Sequence, residues 1–211
     1  MKKHLLALAL IAVAGGSQAA TITVSAPLNM ETTEINQNLS INKFDSSLGT
    51  LTGVQLNFDF GVDSSASLTN NAAQGQIFGF ESKLNFFVTG PSALFGTKAI
   101  NLFSFGPAPI ASQQTIDLGT VSLSDVFSAA GNVADFTGTG TTSFSCTTLA
   151  GNSQVGGGAN IAINQATTAG CGVSVVYTYD VPTPPVTVPE PTSMALVGLG
   201  ALGLAAIRRR K

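Results

Sequence analysis

The stretch VQLNFDF alternates without a break: Val54, Leu56, Phe58 and Phe60 fall on one side, and Gln55, Asn57 and Asp59 on the other. Successive side chains of extended backbone point to opposite faces, so a period of two marks a strand with one face buried and one face wet. KLNFFVT repeats the pattern through Leu84, Phe86 and Val88, and GVSVVYTYD through Val173, Val175, Tyr177 and Tyr179. Weaker alternation runs through EINQNLSI, AINLFSF, TVSLSDVF and ANIAIN. A strand that is apolar on one face needs that face covered, and a second sheet does so; the expected fold is all-β, an antiparallel β-sandwich.

Turn chemistry punctuates these runs at Gly61 to Ser65, Asn70-Asn71, Gly90-Pro91, Gly106-Pro107, Gly131-Asn132, Gly151-Asn152 and Gly156 to Gly158. The composition agrees, with abundant Thr, Ser, Asn, Gly, Val and Phe, no Trp and only 9% charged residues. Strand order is not legible from alternation. SLSDVFSAAGNVADF predicts a turn or two of helix capped by Ser124 and interrupted at Gly131.

The first nineteen residues, MKKHLLALALIAVAGGSQA, place two lysines ahead of an apolar run from Leu5 to Val13, a glycine pair, and the small residues Ser17 and Ala19. This is the layout of a secretory signal peptide, cut by signal peptidase between Ala19 and Ala20. The apolar run is too short to span a bilayer. Its removal takes away His4, the sole histidine. Imidazole-based triads and His-ligated zinc are therefore outside the reach of the mature chain. The body, residues 20–180, is one domain in size. Its three lysines, Lys43, Lys83 and Lys98, face ten carboxylates from Glu31 to Asp180 and leave it at −7, which excludes a nucleic-acid partner. Cys146 and Cys171 are the only cysteines, and in an exported chain they pair as one disulfide.

Several patterns imitate chemistry. Asp59-Phe60-Gly61 spells a kinase motif, but no nucleotide loop or catalytic loop accompanies it. Gly198 to Gly203 fits G-x-G-x-x-G, yet the sequence stops eight residues later, with no βαβ unit to hold a dinucleotide. Asp59 and Asp63 are the nearest approach to a glycosidase pair, and the body has no Trp to make a sugar platform. Asp45, Asp59 and Asp63 offer oxygen ligands without the spacing of a calcium loop. The expectation is a protein without catalytic residues, metal site or cofactor, and not an enzyme. A carbohydrate- or calcium-binding surface module is the alternative, and a glycan-active enzyme a more distant one.

The C-terminus is built differently. Residues 181–188, VPTPPVTV, are a proline-rich linker, extended because proline fixes φ and removes a donor. Pro189-Glu190-Pro191 follows, then an uncharged apolar run from Met194 to Ile207, then Arg208, Arg209, Arg210 and Lys211. As a helix counted from Thr192 the run rises only about 24 Å. It is a short transmembrane helix whose arginines snorkel and hold its end in the cytoplasm. The combination in residues 189–211 resembles the PEP-CTERM sorting signal. The resemblance implies recognition by an exosortase, a membrane-embedded protease, with the inner membrane as a transient station and the cell surface or extracellular matrix as the destination.

FDSSLGTLTGVQLNF, DFTGTGTTSF and VSVVYTY are similar to segments of the choice-of-anchor E domain, a module of exported bacterial proteins. That likeness supports the fold class and the location and assigns no catalytic residue. Together the two resemblances imply a structural or adhesive surface protein linked to exopolysaccharide or biofilm.

Overall fold

The apolar positions of the alternating runs turn inward: Val54, Leu56, Phe58 and Phe60 are at most 7% exposed. The computed structural model describes residues 19–91, 95–182, 196–202 and 208. Eight strands make up the body: β1 (Ala19–Thr32), β2 (Asn36–Asn42), β3 (Thr50–Asn70), β4 (Gln76–Thr89), β5 (Phe95–Ile110), β6 (Thr115–Ala130), β7 (Thr141–Gly156) and β8 (Ile161–Asp180). They form two antiparallel sheets, ordered β1-β8-β3-β6 and β2-β7-β4-β5. Most connections cross from one sheet to the other, and only β4 to β5 is a hairpin within a sheet. This is the eight-stranded jelly-roll order, a double sheet whose inner faces share one core. The residues Gln18–Val181 form a single compact unit.

Several boundaries differ from the sequence expectation. ANIAIN and GVSVVYTYD are two ends of one twenty-residue strand, β8. β1 and β7 were not predicted as strands. The inner face of β7 carries Thr142 and Thr148 beside Phe144 and Cys146, so polar residues dilute its alternation, and β1 is interrupted by Pro27. Gly61 to Ser65 is no turn: β3 runs straight through it because β8 and β6 pair with it on both sides. Gly151-Asn152 likewise lies inside β7. Gly106-Pro107 is a bulge in β5, where the register against β4 slips between Phe78 and Phe80. β5 is an edge strand, and an edge tolerates proline because one side of its backbone has no ladder to serve.

The predicted helix behind Ser124 is also absent. β6 carries that stretch to Ala130, and the helix is the single turn Val133–Phe136, capped by Asn132, whose side chain accepts from the Ala134 N–H at 3.2 Å. The alternation of TVSLSDVF against β3 outweighs the local capping signal.

Phenylalanine dominates the core. Phe58 meets Phe144 edge to face at 5.2 Å, and Phe60 lies 4.8 Å from Phe86, so both contacts join the two sheets. Burying each such ring contributes about 1.5–3 kcal/mol. On the outer face of the first sheet the bulge between Ala26 and Asn29 in β1 lays Leu28 across β8 and β3. Gly61, Gly170 and Gly172 lie beneath it; a Cβ on Gly172 would meet the Leu28 nitrogen at 2.9 Å. That close approach requires glycine.

Cys146 in β7 and Cys171 in β8 are fully buried and disulfide-bonded across the two sheets, with Cα atoms 6.5 Å apart. Beside them Gln37, on the apolar face of β2, donates to the Asn29 carbonyl at 2.8 Å and accepts from the Cys171 N–H at 3.0 Å. The β1 bulge leaves those two backbone groups without a ladder partner, and the side chain from the opposite sheet supplies both bonds. A polar residue at a core position is thus explained by the bulge it serves.

Tyr177 makes a comparable tie, its hydroxyl donating to the Asn42 carbonyl at 2.8 Å while its ring packs edge to face on Phe44. Burial pushes this hydroxyl up to about 12. The folded protein therefore holds the proton more tightly than the unfolded chain, whose tyrosines titrate near pH ~10. The stabilisation is whole below that pH and is lost as pH rises toward 12. Urea unfolding midpoints should hold up to about pH 10 and fall above it. In Tyr177→Phe most of that fall disappears, at a cost near neutral pH of about 1 kcal/mol for the lost hydrogen bond. An equal alkaline fall in both proteins would remove Tyr177 from the explanation.

Candidate functional site

The carboxylates singled out in the sequence are placed apart. Asp59 and Asp63 both lie on the exposed outer face of β3, four residues apart along the strand. Extended backbone separates such positions by about 13 Å, beyond the ~5–9.5 Å that flanks a glycosidic bond. Asp63 accepts from the Ser122 hydroxyl at 2.5 Å, one rung of a polar cross-strand ladder that also includes Ser128 to Asn57 at 2.8 Å and Thr69 with Thr115 at 2.9 Å. Asp45 sits elsewhere, capping the 3-10 turn Ser46–Leu48 by accepting the Ser47 N–H at 2.9 Å. Hydrogen bonds from Ser47 hold its carboxyl below the usual range. Among the described residues no three of His, Cys, Asp and Glu gather around a point where a metal ion would sit.

An ion pair lies at the side of the sandwich where β5 and β6 meet. Lys98 of β5 and Asp125 of β6 pair at 2.7 Å. The bound ammonium and the Val126 N–H hold the Asp125 carboxyl below its ordinary value. Both side chains are more than a third exposed, so water and salt screen the pair.

On the opposite side, between β7 and β8, the core turns polar and opens. Gln165 of β8 donates to Ser82 of β4 at 3.0 Å, to Thr167 at 3.2 Å and to Ser64 of β3 at 3.3 Å. Ser64 and Thr167 share a bond of 2.7 Å. Gln165 Oε1 is buried and has no hydrogen-bond partner among the described residues. Gln165, Ser64 and Thr167, with Thr33 and Asn152, line an open cavity of roughly 650 Å3. Every side chain in the cluster is uncharged, and only Asp63 brings a charge to the rim. Sequence reasoning missed this site because its members are spread over β3, β4, β7 and β8 and each alone looks like an ordinary strand residue.

The sorting elements lie at the ends of the chain. Ala19 opens β1 opposite Asp180, and Ala20 pairs with Tyr179, so the expected cleavage point coincides with the first rungs of the first sheet. The signal peptide up to residue 18, the linker residues 183–188, Pro189, Glu190, Pro191, Arg209, Arg210 and Lys211 lie outside the described residues. Residues 196–202 are helical, as is Arg208; Leu196 and Val197 are each 74% exposed. The rest of the expected transmembrane helix, residues 194–195 and 203–207, falls outside the described residues, and within them no helix is long and apolar enough to cross a membrane.

No curated protein matches the chain. Among solved structures, that of infectious bursal disease virus Gx strain is 13% identical, covering 87% of this chain and 43% of that one at a TM-score of 0.22. The T13 particle of the same virus is 12% identical, covering 96% and 51%, with a TM-score of 0.22. The parasporin-2 toxin of Bacillus thuringiensis is 12% identical, covering 77% and 70%, with a TM-score of 0.12. The chain spans about half the length of the viral chains it matches, and likenesses this slight carry no functional inference. The C-terminus is different: residues 187–211 match the PEP-CTERM protein-sorting motif, which marks the chain as an exported protein targeted to an exosortase.

Proposed function

We propose that this is a non-enzymatic surface protein whose choice-of-anchor E-like body is exported, released from its C-terminal tail by an exosortase, and retained in the extracellular matrix as a structural or adhesive component alongside exopolysaccharide. The observation that carries this reading is the PEP-CTERM match over residues 187–211. The body suits the role physically. The outer face of its first sheet presents Ser, Thr and Asn hydroxyls and amides in a cross-strand ladder, which hydrate well and offer hydrogen bonds to a neutral polymer. Its core is closed by a buried inter-sheet disulfide suited to an oxidising exterior.

Fractionation of a host that has an exosortase and makes exopolysaccharide tests the role. The protein should be recovered with the polysaccharide matrix and leave it when the polysaccharide is enzymatically removed. Recovery in the free medium regardless of polysaccharide would overturn the matrix role while leaving the sorting signal untouched.

A further inference from the structure

β1 and β2 are shorter than the strands they flank. β1 pairs with β8 only from Thr168 onward, and the other seven residues, Ile161 to Thr167, have β3 on one side and no strand on the other among the described residues. β2 pairs with β7 only as far as Thr147, which leaves Leu149 to Gly156 with β4 alone. The two free edges belong to facing sheets, since the disulfide holds β7 against β8. They begin at the same level, where residues 33–35 cross from β1 to β2. There Thr33 donates to the Thr167 carbonyl at 3.1 Å, and Ile35 and Glu34 accept from the N–H groups of Thr148 and Ala150. Those bonds fix the parity: the backbone of Gln165 and Ile163 in β8, and of Asn152 and Gln154 in β7, points out of the open side.

Unpaired strand edges template further pairing unless charge, proline or bulges blunt them. The other side of this sandwich is blunted. β5 carries Lys98, Pro107 and Pro109, and β6 carries Asp117, Asp125 and a bulge at Gly119 with φ of 79°. The free halves of β7 and β8, LAGNSQVG and IAINQAT, contain neither charge nor proline.

We propose that these free edges form a homodimer interface, in which a second copy of the chain, related by a two-fold axis perpendicular to the sheets, extends both sheets at once through antiparallel β8–β8 and β7–β7 pairing. A single extended peptide satisfies one edge and leaves the other bare. A second copy presents two edges at the same spacing, about 10 Å for packed sheets, and the two-fold operation sets each edge antiparallel to itself.

Sedimentation of the full chain in detergent, and of the form recovered outside the cell, tests this. Both should show a reversible monomer–dimer equilibrium. Amide exchange at Ile163, Gln165, Asn152 and Gln154 should slow as protein concentration rises. Ala162→Lys with Ala166→Lys, both at exposed positions on the outer face of β8, sets like charges across the pair and should weaken dimerisation about tenfold or more, with thermal melting unchanged at dilutions where both proteins are monomeric. Ser124→Lys on β6 should leave it intact. A monomer at every soluble concentration, open-ended polymers, concentration-independent exchange at those four amides, or an A162K/A166K protein that dimerises like the parent would each overturn the proposal.

Discussion

Replacing Cys146 and Cys171 together with alanine is expected to lower stability by roughly 3–4 kcal/mol, the loop-closure value for a cross-link spanning 25 residues. In a domain of this size each kcal/mol shifts the melting temperature by about 2–4 °C, so the melt should fall by roughly 10 °C. Two further costs act in the same direction. Both sulfurs are buried between the sheets, so alanine leaves small voids there. The Cys171 N–H must also keep its bond to Gln37 in a less constrained strand. Because the bridge is enclosed, dithiothreitol at moderate temperature should leave the folded protein oxidised, and reduction should follow unfolding. Calorimetry of the double variant beside the parent checks the first statement, and thiol labelling under native conditions the second. Equal melting temperatures would show that sheet packing alone sets the stability.

How far the fold was legible depended on what each strand buries. Where both a rich apolar set and a wet face were present, as with Val54 to Phe60 or Leu84 to Val88, period two located the strand and its inner face correctly. β7 failed because Thr142 and Thr148 occupy inner positions, their hydroxyls satisfied by the carbonyl of Asp135 and the N–H of Ile35, contacts no local pattern can display. Gly106-Pro107 failed because turn chemistry and bulge chemistry use the same residues, and only pairing with β4 distinguishes them. The disulfide followed from counting cysteines in an exported chain, since there was one possible pair. The polar cluster around Gln165 was invisible, because it exists only once β3, β4, β7 and β8 are stacked. Strand order was beyond reach for a similar reason: alternation sets the inner face of a strand and says nothing of its neighbours.

The second large effect concerns the tail. Pro189-Glu190-Pro191 to Ala-Ala-Ala should abolish processing, taking the released fraction from nearly all of the protein to background. Proline fixes φ near −65° and lacks the N–H a helix interior needs, so the native tripeptide favours extended backbone that a protease cleft can bind. Three alanines have the highest helix propensity and let the apolar helix propagate upstream. They also remove Glu190, the only charge between Asp180 and Arg208. The variant should fractionate with the inner membrane, its tail intact, while its body keeps the parental melting temperature. Processing at the parental rate would reduce these residues to a linker.

The account stands on export and exosortase release, and the intact mass of the protein recovered outside the cell tests both ends together. In a host with an exosortase the mass should correspond to a chain that begins at Ala20 and lacks the apolar segment with Arg208 to Lys211; in an otherwise identical host without the exosortase, the tail should remain attached and the protein stay in the inner membrane. A full-length tail on protein outside the exosortase-bearing cells, or the same shortened mass from both hosts, would contradict it.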